Sequence, residues 1–330
     1  MPDSPAELTY ASAVNAALSR ALTEIPETLL FGEDVAAPGG VFGVTRGLKK
    51  AFGDRVFDTP ISESAILGAA IGAAMMGRRP IAEIMWIDFS LVALDQIVNQ
   101  AANVRYVSRG QATAPLTIRT QQGNAPGACA QHSQSLEAFF AHVPGLRVCM
   151  PSTAQDAYDL LLAAIWCDDP ALVIENRTLY HGAKSPVVTN MPVQPPTGAR
   201  VIQRGSDATL VTWGAMTLRA LEAAGLCMAD GIDVEVIDMR WLRPLDLDCV
   251  LASVRRTGRL AVAHEAHLTG GVGAEIVARV AESGVRLAAA PVRIATPDVR
   301  IPAAPALSAA VIPSASQVAA AVSALVKGRP

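Results

Sequence analysis

The sequence predicts an α/β protein of two domains, each with a mostly parallel sheet. Three observations point to it. Short apolar runs such as ALVIE (171–175) lack polar alternation, as strands covered on both faces do. These runs trade places with stretches of helical periodicity along the whole chain. One segment, HGAKSPVVTNMPVQPPTGAR (181–200), breaks the rhythm with four prolines and little periodicity, and it reads as a linker. The expected division is 1–182, a linker over 183–200, and 201–330.

The elements follow in order. Residues 11–25 read as a helix and TLLFGED (28–34) as a strand entering a Gly/Pro loop. RVFDT (55–59) is strand-like, 64–77 helical, and PIAEIMW (80–86) a strand. Residues 91–107 place Leu91, Leu94, Ile97, Val98 and Ala101 at helical spacing, which predicts a long amphipathic helix. Next come a strand LTIRT (116–120), a Gly-rich loop, SLEAFFAHV (135–143), a strand LRVCM (146–150), a helix over 153–166, and ALVIE. After the linker the strands are ATLVTWG (208–214), VEVIDM (234–239), RLAVAHE (259–265) and VRIAT (292–296). Helices are expected over 216–229, 246–254, 273–283 and 308–326.

Composition excludes several classes. The chain has 330 residues, 51% of them hydrophobic, and a net charge of −3. That supplies a large core, and no clustered basic surface for nucleic acid. No apolar run reads as the roughly 18 residues of a membrane span. No basic segment precedes an apolar one at the N-terminus, so no secretory signal is expected. Five cysteines, without a CxxC pair, read as reduced core thiols of a cytoplasmic chain.

One carboxylate stands out. Glu63 heads DTPISESAILGAAIGAAMMG (58–77), a run of small and apolar residues where an unpaired charge is costly. It follows a strand and opens a helix, the place where parallel sheets gather ligands. Read locally, Ser62 or Glu63 can simply cap the helix.

A set of ordered motifs weighs against that plain reading. They are GEDV (32–35), GGVFGVT (39–45), RVFDTPISE (55–63), RPIAEI (79–84), DQIVNQAA (95–102), QHSQSLEAFFAHVPGLRV (131–148), PSTAQDA (151–157), EVIDMRWLRPLD (235–246) and RTGRL (256–260). Together, from about residue 7 to near the C-terminus, they resemble the beta subunit of the thiamine-diphosphate-dependent 2-oxo acid dehydrogenases: the pyruvate, branched-chain 2-oxo acid and acetoin dehydrogenases. The resemblance implies a transketolase-like fold with a pyrimidine-binding domain and a transketolase C-terminal-type domain. It also implies an α2β2 heterotetramer with active sites shared between alpha and beta chains, docked on a dihydrolipoyl acyltransferase core.

It assigns roles as well. Glu63 matches the glutamate that hydrogen-bonds the cofactor's aminopyrimidine nitrogen. A carboxylate there favours the imino tautomer, whose nitrogen takes the proton of the thiazolium carbon: general acid–base catalysis passed through the cofactor. Phe89 matches the aromatic that stacks on the pyrimidine, and Ile61 and Met85 match contacts around the same ring. Trp86-Ile87 stands where relatives often carry a smaller residue and then Phe. His132 matches a histidine near the reacting carbon; imidazole exchanges protons near neutral pH. Leu116, Ala164, Ile165, Cys167 and Asp169 match a potassium site, with Cys167 where an acid is common. Magnesium belongs to the alpha subunit, because this chain has no GDG followed some thirty residues later by Asn. Ordinary packing is the alternative for each apolar position.

The implied reaction is decarboxylation of a 2-oxo acid, or cleavage of acetoin, with acyl transfer to a lipoyl group. A specialised two-chain thiamine enzyme of secondary metabolism and a split transketolase are the alternatives. A dinucleotide-dependent oxidoreductase fits poorly: in GGVGAEI (270–276) the sixth position from Gly271 is Ile276, not Gly or Ala. A non-catalytic scaffold would have no use for Glu63, Phe89 and His132. His264 and His267, in AHEAH, resemble a metal pair only loosely, and strand-end packing or an interface suits them better.

Overall fold

A computed structural model describes residues 5–124 and 127–328. Met1–Ser4, within the N-terminal segment read above, and Ala125 and Pro126 of the Gly-rich loop lie outside the described residues. The chain separates into two compact units. The first holds 1–122 and 139–196, the second 123–138 and 197–330. The Gly-rich loop therefore groups with the second unit, and most of the expected linker 183–200, up to 196, with the first.

The first unit begins with β1 (Ala6–Leu8), α1 (Tyr10–Glu24), β2 (Thr28–Gly32), α2 (Leu48–Phe52), β3 (Val56–Asp58), α3 (Glu63–Met75) and β4 (Arg79–Ile84). It continues through α4 (Val104–Val107), β5 (Thr117–Gln122), α5 (Glu137–Ala141), which straddles the boundary, β6 (Arg147–Cys149), α6 (Ala154–Trp166), β7 (Ala171–Asn176) and β8 (Ser185–Val187). Its strands are hydrogen-bonded in the order β6-β7-β5-β4-β2-β3, every pair parallel. β3 adds to one side of β2 and β4 to the other, which makes the carboxyl ends of β2 and β4 a topological switch point. The proline-rich stretch is not all linker, since β8 pairs antiparallel with β1.

Helix α1 starts at Thr9, whose hydroxyl accepts from Ser12 N; α6 starts at Thr153 in the same way, accepting from Asp156 N. Ala154 and every residue from Asp156 to Ile165 are buried. That explains why α6 reads as a continuous apolar run rather than a stripe.

The helix expected over 91–107 is not continuous. A 3-10 turn (Ile87–Leu91) leads to a π turn (Gln96–Gln100), another 3-10 turn (Ala101–Asn103) and then α4. Side chains divert the local hydrogen bonding: Asn103 Nδ2 donates to the carbonyls of Val98 and Asn99 at 3.3 and 3.2 Å, and Asn99 Nδ2 to Asp95 Oδ1 at 2.8 Å. Ile97 and Ala101 are buried as the spacing requires, whereas Leu91 is exposed.

The second unit adds β9 (Arg200–Gln203), β10 (Ala208–Thr212), α7 (Met216–Ala229), β11 (Val234–Asp238), β12 (Trp241–Arg243), α8 (Leu247–Thr257), β13 (Leu260–His267), α9 (Val272–Glu282), β14 (Val292–Thr296), α10 (Pro305–Val311) and α11 (Ala315–Lys327). Its five-stranded sheet runs β14-β13-β10-β11-β9, parallel except for the antiparallel edge strand β9. The expected last helix, 308–326, is two helices, because Pro313 cannot donate to a helical ladder and Ser314 starts the second with a capping box to Gln317. Pro305–Lys327 does meet the length and apolarity of a membrane span, contrary to the sequence reading. Its second half packs Val318, Ala319, Val322 and Leu325 into the core beside α7 and β10.

Candidate active site

Glu63 is the first helical residue of α3 and is 9% exposed. Ser62 makes no side-chain cap, so the helix start is not explained by a serine cap. Glu33 follows β2 directly and is equally buried. Its carboxyl is raised above the ordinary value, first by burial, then by the charges of Glu63 and Asp34. Glu33 Oε1 has no hydrogen-bond partner among the described residues. Two buried carboxyl groups thus lie close enough at the switch point to interact electrostatically, with an acceptor oxygen of Glu33 unused. That arrangement suits a ligand ring carrying a nitrogen or an N–H.

Met85 and Phe89 lie just past the carboxyl end of β4, both partly buried. The turn that carries Phe89 is closed by Phe89 N donating to Trp86 O at 2.9 Å. Ser64 Oγ donates to Val92 O at 2.7 Å and ties the start of α3 to that turn. The structure therefore gathers Glu63, Glu33, Met85 and Phe89 at one edge of the first sheet. Ile61 is different: it is 82% exposed on the approach to α3, so any contact it makes within this chain is slight. Trp86 turns to other partners, with Phe42 edge-on at 5.2 Å and the Arg177 guanidinium 4.2 Å from its ring centre.

A buried ionic cluster supports the sheet. Arg119, on β5, donates Nε and Nη2 to Glu175 at 2.7 and 2.9 Å and Nη1 to Glu83 at 2.5 Å. Tyr180 Oη donates to Glu175 Oε2 at 2.6 Å. Burial, followed by the nearby Glu175 charge, holds Glu83 above the usual carboxylate range despite the Arg119 guanidinium. Sequence reasoning missed both this cluster and Glu33. The signal for the cluster was present: an arginine inside the apolar strand LTIRT, and a glutamate inside each of RPIAEI and ALVIE.

His132 sits in a 3-10 turn (Ala130–His132) entered through Cys129 at φ 51°. Its loop is bonded within the second unit. Asn124 Nδ2 donates to Ser308 Oγ at 2.6 Å, Trp213 Nε1 to Glu137 Oε1 at 3.2 Å, and Arg300 Nη1 to Gln134 Oε1 at 2.9 Å. His132 thus belongs to the other unit from Glu63.

His264 has a packing role. Its Nδ1 lies 3.1 Å from Ala266 O, its ring stacks on Trp213 at 5.1 Å, and burial lowers its pKa to about 4. The glycines of GGVGAEI make room for it: a Cβ on Gly271 or Gly273 falls 2.6 or 2.7 Å from the imidazole. Among the described residues no three His, Cys, Asp or Glu side chains converge to hold a metal ion.

The residues matched to a potassium site surround the end of α6. Leu116 O accepts from Ala171 N at 2.9 Å and Ala164 O from Cys167 N at 3.2 Å. Ile165 O and Cys167 O each accept from Arg79 Nη1 at 3.0 Å. Asp169 pairs with Arg105 and Arg147.

Two tandem α/β units, with acids at the switch point of the first, define a protein of transketolase class. The transketolase pyrimidine-binding domain matches residues 6–182 and the transketolase C-terminal domain matches 198–318. A split-gene transketolase, solved as an inactive beta4 tetramer, superposes with a TM-score of 0.80 at 25% identity, over 98% of this chain and 100% of that one. Curated relatives narrow the class. The beta subunit of acetoin:2,6-dichlorophenolindophenol oxidoreductase from Cupriavidus necator is 43% identical, over 98% of both chains. The pyruvate dehydrogenase E1 beta subunit of Acholeplasma laidlawii is 40% identical, over 98% of this chain and 99% of its own. The 3-methyl-2-oxobutanoate dehydrogenase beta subunit of Mycobacterium tuberculosis is 44% identical, over 83% of this chain and 79% of its own. The chain belongs to the family of E1 beta subunits of the 2-oxo acid and acetoin dehydrogenases, a thiamine-diphosphate enzyme family.

Proposed function

We propose that this chain is the beta half of a two-chain enzyme that cleaves a 2-oxo acid or acetoin and passes the acyl group to a lipoyl carrier. The observation that carries the reading is the pair of buried carboxyl groups, Glu33 and Glu63, at the carboxyl edge of the first sheet. Thiamine diphosphate, when bound, supplies a carbon nucleophile that adds to the substrate carbonyl. Glu63 holds its pyrimidine nitrogen and moves a proton at that atom. Phe89 would stack on the ring, Met85 and the backbone at Ile61 would flank it, and Glu33, whose carboxyl is raised by burial and by the Glu63 charge, would stand beside Glu63 as a second polar group. His132 serves the substrate carboxylate or the transfer to the lipoyl group. An alpha subunit brings the diphosphate and magnesium ligands, and the complex works in the cytoplasm as α2β2 on an acyltransferase core.

The exposed side of α3 supports a partner. Gly72 and Gly77 have open space where a Cβ would point, and Met75, Met76 and Ile61 are exposed. An apolar cleft of about 350 Å³ lies between this helix and the Phe31–Phe57 stack. Together these make an apolar surface that a second chain would cover.

Glu63→Gln tests the role. In the complex reconstituted with an alpha chain, assembly should persist while turnover falls about 10²–10⁴-fold, the scale of a lost proton-transfer group. Near-normal turnover would remove Glu63 from the mechanism. The likeness to a split transketolase carries the second reading, sugar-phosphate transfer. Assaying the same reconstituted complex with a ketose phosphate separates the two.

A further inference from the structure

The end of α6 has the form of a cation site, since the last carbonyls of a helix are free and electronegative. Here those carbonyls already have a cation. Arg79 opens β4, and its Nη1 donates to Ile165 O and Cys167 O, both at 3.0 Å. Its Nη2 pairs with Asp168. The Asp169 carboxylate takes Arg105 Nε at 2.5 Å and Arg147 Nη2 at 3.2 Å. The remaining carbonyls of the set, Leu116 O and Ala164 O, accept from Ala171 N and Cys167 N. Three guanidiniums face two carboxylates, so the loop 165–169 already holds positive charge in excess. A potassium ion would compete with Arg79 for its oxygens and meet that excess charge. The residues present do not fit the ion that the family resemblance implies.

We infer that Arg79 is a tethered cation that takes the place of a monovalent metal ion, pinning the end of α6 to the start of β4 without potassium. A planar guanidinium fits the task, because one nitrogen serves two carbonyls while the other meets Asp168. The inference is independent of the proposed reaction, and its test does not use activity.

Thermal unfolding of the full chain in potassium, sodium or choline chloride at equal ionic strength reads it out, together with crystals soaked in thallium(I), a potassium surrogate. Wild type should melt at one temperature in all three salts, and no thallium should appear among the carbonyls of Leu116, Ala164, Ile165 and Cys167 and the Asp169 carboxylate. Arg79→Met should melt several degrees lower. Arg79→Lys, which keeps the charge and loses the fork, should fall between the two and serves if Arg79→Met does not fold. A potassium-selective rise in the wild-type midpoint, a thallium peak at those carbonyls, or variants that melt like wild type would overturn the inference.

Discussion

Glu33 and Glu63 set the electrostatics of the first unit's switch point. Burial and the Glu63 charge lift the Glu33 carboxyl above its ordinary 4.5. A carboxyl whose folded pKa is raised binds extra proton in the folded state, so its stabilising effect is present at low pH and lost as pH rises through the folded value. Glu33→Gln removes that dependence. Melting the two chains side by side should show the variant gaining on wild type as pH rises above about 4.5; a constant difference would mean that the Glu33 carboxyl is not raised in the folded state. Glu63 was legible in the sequence because a lone acid heads an apolar run. Glu33 was not, because GED after a strand reads as an ordinary turn, and only the fold brings it within electrostatic reach of Glu63.

Elements were most legible where burial and propensity agree. Helix α7 and β14 occupy the expected residues, 216–229 and 292–296. The segment 91–107 failed as one helix because Asp95, Asn99 and Asn103 draw hydrogen bonds away from the regular ladder. Strand β5 carries a cost that periodicity does not show. Arg119 is 0% exposed between Glu83 and Glu175. Arg119→Met leaves two buried carboxyls without their cation and should cost about 3–5 kcal/mol of stability in denaturant titration. A loss under about 1 kcal/mol would show that protonation of Glu83 relieves the strain, consistent with its raised pKa.

At the scale of the whole molecule the domain boundary was only partly legible. The prolines of 181–200 mark the change of unit, yet residues 123–138 belong with the second unit through contacts such as Asn124 to Ser308, which no local pattern encodes. The exposed small and apolar residues of α3, proposed above as a partner surface, stand in the sequence as a run of Gly, Ala and Met. Expressed alone, the chain should be a dimer or aggregate in solution and bind thiamine diphosphate weakly by calorimetry, since the proposed function puts the diphosphate and magnesium ligands on the alpha chain. A monomer that binds the cofactor tightly with magnesium would contradict the shared site. The most direct measurement is the rate of hydrogen–deuterium exchange at the cofactor's thiazolium carbon in the complex assembled with an alpha chain, with wild-type and Glu63→Gln beta chains compared at equal cofactor occupancy. The account predicts exchange slowed about 10²–10⁴-fold in the variant; equal rates would contradict it.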